Sequence, residues 1–592
     1  MVINDSRYCL VTTAINDFWD KDHQLLFLGP WCFANQGGVF DMNDVLIMTS
    51  PWKPAYRIKE ASDYCYQIYN KILPQISTKL NKIHNVSHPV EYWRVLLGYW
   101  LLHFIHIVYD KYIRIEAVLN QYPDFFTYVL PSERCKPISY SYSDFQFGID
   151  SKSQSDYYIL KLISIVTYEL CPEKAVVKDY ASDEMVNIRK HGWKRRWLNY
   201  LKTPFESSFR GKIVLSKMGH LDINDCLRLK TKIGLSNLDF REFLLTDLQI
   251  KTSLMRKMSA EMRDRLMIMD YDDRFEALLK KTIIDAIPIC YVEDYIHYSS
   301  SVSNNAGLNL IGSELGWGHS ERFKFFAADA VLKGTQLAEF QHGAGYGSML
   351  SVPIEDLAFE RGILYSWGHT SKDNNNVIPL PSPHLSKLID SHTFNIKNNN
   401  IVFVGNSVVT YFVRFSFAVY SDNVADYFNS KKDFFSALLE KNRKNIIYRQ
   451  HKIKDKWQEF KFIKKSFPEI QFDLKTKLVG LMRKANIVVV DHPGTSALEA
   501  FVINTPTVLY WDHDGYLVRP EAEPYFQALR DTGILYKDPV SAAEKVNEIF
   551  DNPGEWWLSN EVQGVRKKFC DRFAYARKDW IDVWVKELRK FL

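Results

Sequence analysis

Four segments in the second half of the chain end an apolar run on polar or basic groups: Gly405-Asn406-Ser407, Arg449-Gln450-His451, His492-Pro493-Gly494-Thr495-Ser496 and Asp512-His513-Asp514. The runs before them (IVFV, NIIY, NIVVV, TPTVLYW) read as β-strands. In open parallel sheets, ligands sit just past the carboxyl ends of such strands. Thr495 and Ser496 open a helical segment, SALEAFVI. A helix N-terminus offers unpaired N–H groups and a positive dipole end to a phosphate. Arg449, His451 and His492 could add charge-assisted hydrogen bonds to a diphosphate or phosphodiester. A plainer reading competes, because Ser496 and Glu499 have the spacing of a capping box, which needs no ligand. The convergence of several polar strand ends on one helix start favours an anion or nucleotide site. Its expected members are Gly405, Asn406, Arg449, His451, His492, Pro493, Gly494, Thr495, Ser496 and Glu499.

Earlier in the chain, Gln341-His342-Gly343-Ala344-Gly345-Tyr346-Gly347-Ser348 follows another strand run. Its glycines permit close backbone approach to a ligand. A histidine there can act as a general base towards a hydroxyl, since imidazole titrates near neutrality. His342, Gln341 and the carboxylate Glu314, at another strand end, are the expected catalytic residues. The glycine spacing is G-x-G-x-G, and no acidic residue follows at the distance a dinucleotide fingerprint requires. Oxidoreductase chemistry is disfavoured. No His-Glu-x-x-His, P-loop lysine or nucleophile elbow occurs. Asp512-His513-Asp514 reads as a polar turn in preference to a divalent-metal chelate. Neither a metal nor a cofactor is expected.

The elements that must position these residues alternate in type. YCLVTTA (8–14), LLFLGPW (25–31) and VLIMTSPW (45–52) read as opening strands of an α/β sheet. From about 60 to 285 helical periodicity dominates, which predicts a helical insertion. Strands resume at GLNLIGSELG (307–316), and a helix over SERFKFFAADAVLKG should be capped by Ser320 and ended at Gly334. The Pro- and Asn-rich stretch 374–400 reads as an interdomain linker. Strand and helix then alternate to the end, implying βαβ units and a parallel sheet. The expected fold class is α/β and GT-B-like: two Rossmann-like domains facing a cleft. Domain 1–390 carries the insertion, and 396–592 binds the nucleotide.

The bulk properties set outer limits. At 592 residues the chain can bury at least two cores. A net charge of +5 against 75 basic and 70 acidic side chains argues against nucleic acid as partner. Eight cysteines without close pairing read as reduced thiols, which fits the cytoplasm. The N-terminus lacks the basic and apolar regions of a secretory signal. The longest apolar run, 95–109, is too short to span a membrane and contains His103 and His106. The basic, Trp-rich segment 189–202 has a composition suited to peripheral contact with an inner-membrane surface or an anionic glycan.

YCLVTTA, LLFLGPWC, EYWRVLLGYWL, EFQHGAGYGS, LYSWGH, IVFVGNS, DHPGTSALEAFVINTPTVLYWD and EAEPYFQALRDTGILY together resemble a bacterial family of transferases associated with surface-polysaccharide biosynthesis. The pairing of Arg449 and His451 with His492–Ser496 is similar to capsule-type Kdo transferases, sialyltransferases and teichoic-acid polymerases. That likeness implies a GT-B fold and a cytidine-nucleotide donor whose phosphate is held by His492, Thr495 and Ser496. It also implies His342 as base. The Thr-Pro-Leu-Lys that follows in the polymerases is replaced by Ala344–Gly347, and the loop carboxylate of the Kdo transferases is missing at Gln341 and His342. Glu314 is the expected substitute. The implied function is transfer of a sugar, a CMP-activated ulosonic acid such as Kdo or a nonulosonate, onto a cell-surface glycan or lipid-linked glycan. The alternatives are a CDP-polyol phosphotransferase and an inactive nucleotide- or glycan-binding protein.

Overall fold

The computed structural model describes residues 7–34, 45–150, 154–180, 211–241, 258–268, 271–302, 307–389, 399–416, 420–450, 457–512 and 515–592. The expected peripheral segment 189–202 lies outside them. Three parallel sheets organise the chain. The first joins β1 (Tyr8–Val11), β2 (Leu25–Phe27), β3 (Leu46–Ile47), β4 (Phe125–Val129) and β5 (Ala175–Val177) in the order 3-2-1-4-5. The second joins β6 (Ile213–Ser216), β7 (Leu238–Arg241), β8 (Leu310–Ser313), β9 (Gln336–Phe340), β10 (Ile363–Ser366) and β11 (Val377–Pro379) in the order 11-10-9-8-6-7. The third joins β12 (Ile401–Val404), β13 (Ile446–Arg449), β14 (Gln471–Phe472), β15 (Ile487–Val490), β16 (Thr507–Tyr510) and β17 (Leu535–Tyr536) in the order 14-13-12-15-16-17.

The central strands of the last two sheets are buried along their whole length (IVLS, LIGS, IVFV, IVVV, TVLY). Such continuous apolar runs fit strands covered by helices on both faces. These two sheets are the pair of Rossmann-like domains, but the opening strands at 8–14, 25–31 and 45–52, expected in the first of them, form the separate first sheet with β4 and β5 instead, because β1 pairs with β2 and β4 and not with any strand of the second sheet. The reading of 60–285 as a helical insertion needs correction, because β4, β5, β6 and β7 all fall within it. Those strands are only 3 to 5 residues long and lie among long helices. The periodicity of α1 (Tyr56–His84) and α2 (Val90–Gln121) therefore swamps theirs. The expected linker also starts too early: Val377–Pro379 is the edge strand β11, and Pro383–Ser386 is a short helix.

The apolar run 95–109 is the buried middle of α2, with His103 and His106 inside. Among the described residues no helix is long and apolar enough to cross a membrane. The helix after Ser320 forms as predicted, over Glu321–Val331, and the Ser320 hydroxyl accepts from Phe323 N–H. One connection crosses back. The C-terminal helix Trp580–Leu588, assigned by sequence to the last domain, packs on the second sheet against Leu215, Leu310, Ala338 and Phe340.

Candidate functional site

Each of the two facing sheets reverses its strand order once. In the second sheet the switch lies between β6 and β8, and in the third between β12 and β15. A crevice opens at such a point beyond the carboxyl ends, and ligands bind there.

At the switch of the third sheet, Asp491 and His492 follow β15. Asp491 is buried; its Oδ1 lies 3.0 Å from His492 Nδ1, and its Oδ2 accepts from the Tyr427 hydroxyl at 2.8 Å. Burial alone would raise its pKa, but Lys431, His492 and Tyr427 together hold it below the usual carboxylate range. An ionised Asp491 orients the imidazole through Nδ1. His492 Nε2 then meets the Ser496 hydroxyl at 3.2 Å. Asn406 N–H donates to the Tyr427 hydroxyl at 2.7 Å, which brings the end of β12 into the same group. Gly405 is required there, since a Cβ would lie 2.4 Å from the Tyr448 hydroxyl.

The helix Thr495–Ile503 starts at Gly494 with no side-chain cap. The capping-box reading therefore fails: Ser496 turns to His492, and the Glu499 carboxylate is taken by His384 Nε2 at 2.6 Å. Pro493 and Gly494 line an apolar pocket behind the helix with Trp511, Phe526 and Phe573. Arg449 gives its guanidinium to the Asp473 carbonyl at 2.6 Å, away from this group. His451, His513 and Asp514 lie outside the described residues.

Across the cleft, Glu314 follows β8 and His220 follows β6. One Glu314 oxygen lies 3.2 Å from His220 Nδ1, and the other accepts from His220 N–H at 3.1 Å. The His220 ring packs on Trp367 and His384, with centroids 5.6 and 5.2 Å away. Since His384 holds Glu499, a line of carboxylate, imidazole, imidazole and carboxylate joins the two halves. Sequence reading missed His220, because its strand was submerged in the supposed helical insertion; the apolar run IVLS ending at Lys217–His220 was the available signal. It missed Asp491 by starting the motif one residue late.

His342 follows β9, half-buried, with Nδ1 3.2 Å from the Tyr346 hydroxyl. Burial, with Arg414, His220 and His319 nearby, lowers its pKa to about 4. Gln341 braces the turn, donating to the Gly343 carbonyl at 2.7 Å and accepting from Trp367 N–H at 2.6 Å. The loop it supports touches the facing domain, where Ala344 N–H donates to the Thr495 hydroxyl at 3.1 Å. Among the described residues no group of three or more His, Cys, Asp or Glu side chains is placed to hold a metal.

Two Rossmann-like domains that meet switch point to switch point have the architecture of the GT-B fold class. The chain belongs to the LIC12162 family of transferases, whose model matches residues 8–588. No curated protein matches it. Among solved structures it is similar to MurG of Acinetobacter baumannii (10% identity, 64% of this chain and 99% of that one, TM-score 0.32). It is similar at the same level to the spinosyn rhamnosyltransferase SpnG (11%, 64% and 100%, TM-score 0.32). The UDP-forming α,α-trehalose-phosphate synthase of Burkholderia vietnamiensis gives 12% identity over 64% and 99%, again with a TM-score of 0.32.

Proposed function

We propose that the protein is a glycosyltransferase that moves a sugar from a nucleotide donor, held by the third sheet, to an acceptor hydroxyl presented by the second. One observation carries this reading: the Glu314–His220 pair and the Asp491–His492–Ser496 array stand on the two halves of one cleft, joined by Ala344–Thr495 and His384–Glu499 contacts. His220 takes the proton from the acceptor hydroxyl while Glu314 fixes the ring, the division of labour that a base and its orienting carboxylate require. The acceptor oxygen attacks the anomeric carbon and the bond to the donor phosphate breaks. The departing phosphate meets the uncapped N-terminus of Thr495–Ile503, the Ser496 hydroxyl and His492.

The likeness of His492–Ser496 to transferases that use cytidine nucleotides supports a CMP-activated ulosonic acid as donor and a surface glycan as acceptor. A thermal-shift panel of CMP, CDP, UDP, GDP and ADP, with and without Mg²⁺, tests the donor side, because a ligand bound only by the native state raises the midpoint. Stabilisation by CMP that His492→Ala removes is the expected result. A preference for UDP or GDP would replace the donor while keeping the transferase. A panel without any shift would remove the nucleotide site itself.

A further inference from the structure

The first sheet has a switch point of its own, between β1 and β4, and the crevice at such a point is where a parallel sheet takes a ligand. In this protein the chain itself takes that place. The occupant is the segment that runs from β12 to the helix Val424–Ala437, described over 405–416 and 420–423. On one side of the crevice Trp31, which follows β2, donates its indole N–H to the Thr12 carbonyl at the end of β1, at 3.1 Å. Tyr411 packs on Trp31 with centroids 6.4 Å apart. Its hydroxyl donates to Asp156, in the first turn of the helix Gln154–Leu170 that lies between β4 and β5. Tyr411 therefore bridges the two sides of the switch. After β3, Trp52 receives Phe412 and Phe415, with centroids 6.1 and 4.7 Å away.

The two arms of the segment are tied to each other. Val409 bridges to Tyr420, and the Arg414 carbonyl accepts from the Tyr420 hydroxyl at 2.8 Å. Two residues on, Asp422 Oδ2 accepts from the Arg114 guanidinium of α2 and from the Ser50 hydroxyl after β3, each at 2.6 Å. The Asp422 side chain is 9% exposed and that of Arg114 2%. Arg114 also donates through Nε to Asp110 at 2.8 Å, and Asp110 accepts from the Trp52 indole at 2.6 Å. Such an array fixes geometry, because moving Asp422 away leaves a guanidinium charge buried without its full complement of counter-charge. The neighbouring pair Lys53–Asp426 is 52% and 70% exposed and holds far less.

Asp422 stands directly before the helix Val424–Ala437, and that helix carries two of the groups around Asp491. The Tyr427 hydroxyl joins Asn406 N–H to the Asp491 carboxylate, and Lys431 Nζ lies 3.4 Å from the same carboxylate. The other end of the segment is Asn406 itself. Both flanks of the nucleotide-side array thus belong to one segment whose middle is held by the first sheet.

We propose that the first sheet is a bracket for the nucleotide site and that Asp422 is a positioning residue for donor binding: held by Arg114 and Ser50, it sets the start of the helix that aims Tyr427 at Asp491 and Asn406. The inference rests on the donor side assigned above.

The test uses the full-length protein, with affinity for CMP, CDP, UDP, GDP and ADP read by titration calorimetry and the unfolding midpoint read beside it. Asp422→Asn should weaken binding of the nucleotide that stabilises the wild type by about tenfold or more. A merely structural role would lower the midpoint and leave that affinity unchanged, and this outcome overturns the proposal. Because Asp422 acts through Tyr427, Tyr427→Phe should weaken binding as well, and adding Asp422→Asn to it should weaken binding no further; losses that add overturn the route through Tyr427. Ser50→Ala removes one neutral donor and leaves the buried charges balanced, which guards against a folding defect, and it should weaken binding by about two- to fivefold. An unchanged affinity in Ser50→Ala overturns the proposal too. Lys53→Ala should change neither readout, and a loss in it equal to that of Asp422→Asn would overturn the particular role of Asp422. A wild-type protein that binds none of the five nucleotides overturns the donor assignment itself, a result distinct from one in which the wild type binds and Asp422→Asn binds equally well.

Discussion

Two histidines face the acceptor side of the cleft, and their surroundings give them different work. His220 leans on a buried carboxylate through Nδ1, so its Nε2 is the nitrogen left for a substrate. His342 has a phenol as its partner and stays neutral down to about pH 4. A base that weak takes little of a sugar hydroxyl's proton at neutral pH, which is why the proposed mechanism gives the base's role to His220 in place of His342. His220→Gln should lower kcat by about 10²- to 10⁴-fold, the range for loss of a general base, with nucleotide affinity intact. His342→Gln should mainly raise the acceptor KM. The pH–rate profile tells the two apart: the neutral form of His342 persists from pH 5 upward, so its removal should leave the profile's shape unchanged over pH 5–9. A limb that vanishes with His342→Gln would return the base to His342. On the donor side, Gly494→Ala would set a Cβ 2.5 Å from the His492 ring. Such a change should displace the imidazole and lower nucleotide affinity at least as much as His492→Ala does, as titration calorimetry would measure.

At the scale of elements, α2 carries a cost that pH exposes. His106 is fully buried, accepts from Phe415 N–H through Nδ1, and has its pKa lowered to about 3 by burial and by Arg414. His103, held by the Tyr142 hydroxyl at 2.8 Å, is lowered well below its ordinary value for the same first reason, burial. In the unfolded chain both bind a proton below about pH 6.5, whereas the folded protein refuses it. The unfolded state therefore binds more protons as pH falls from 6.5 towards 4, and stability falls with it, by about 1.4 kcal/mol per pH unit for each such histidine. His106→Asn keeps an acceptor for Phe415 N–H, and urea unfolding at pH 5, 6 and 7 should show a slope shallower by about that amount. An unchanged slope would mean that His106 is already protonated in the folded state. The same helix explains what was legible in the sequence. Long or continuous apolar patterns, such as the 32 residues of α2 and the buried IVFV and IVVV strands, announce themselves. The strand IVLS does not, because four apolar residues are too few to show a period, and with it went His220 and half of the acceptor side. The nucleotide side was better legible, since the polar residues at its strand ends are contiguous in DHPGTS. Even there, the partner of Ser496 could not be read, because capping and site formation use the same spacing.

For the whole molecule, the chain crosses between the facing domains twice, once through the segment after β11 and again on its way to the C-terminal helix. The second crossing is tied down: Tyr575 N–H donates to the Trp367 carbonyl at 3.0 Å, its carbonyl accepts from Ser382 N–H at 2.9 Å, and Arg577 N–H reaches the Ser386 hydroxyl at 3.1 Å. Beyond it, Trp584 stacks on Phe340 with centroids 5.0 Å apart and donates to the Pro381 carbonyl at 2.9 Å. Phe340 ends β9 directly before Gln341 and His342, so the last helix supports the strand that presents the acceptor-side loop. Closing the cleft excludes water that would otherwise hydrolyse the donor, and such motion needs domains that turn as rigid bodies about these two crossings. Trp584→Ala empties a fully buried site and should cost about 3–5 kcal/mol, as large-to-small changes of buried aromatics do. Because the cavity lies under the second sheet, calorimetry should show the loss in the unfolding of that half, with nucleotide-induced stabilisation of the third sheet retained. Trp584→Phe, which keeps a ring on Phe340 but loses the hydrogen bond and the second ring of the indole, should recover part of the midpoint. If Trp584→Ala weakens nucleotide binding as strongly as it lowers the midpoint, the two halves unfold as one unit and the last helix serves as a clamp on both.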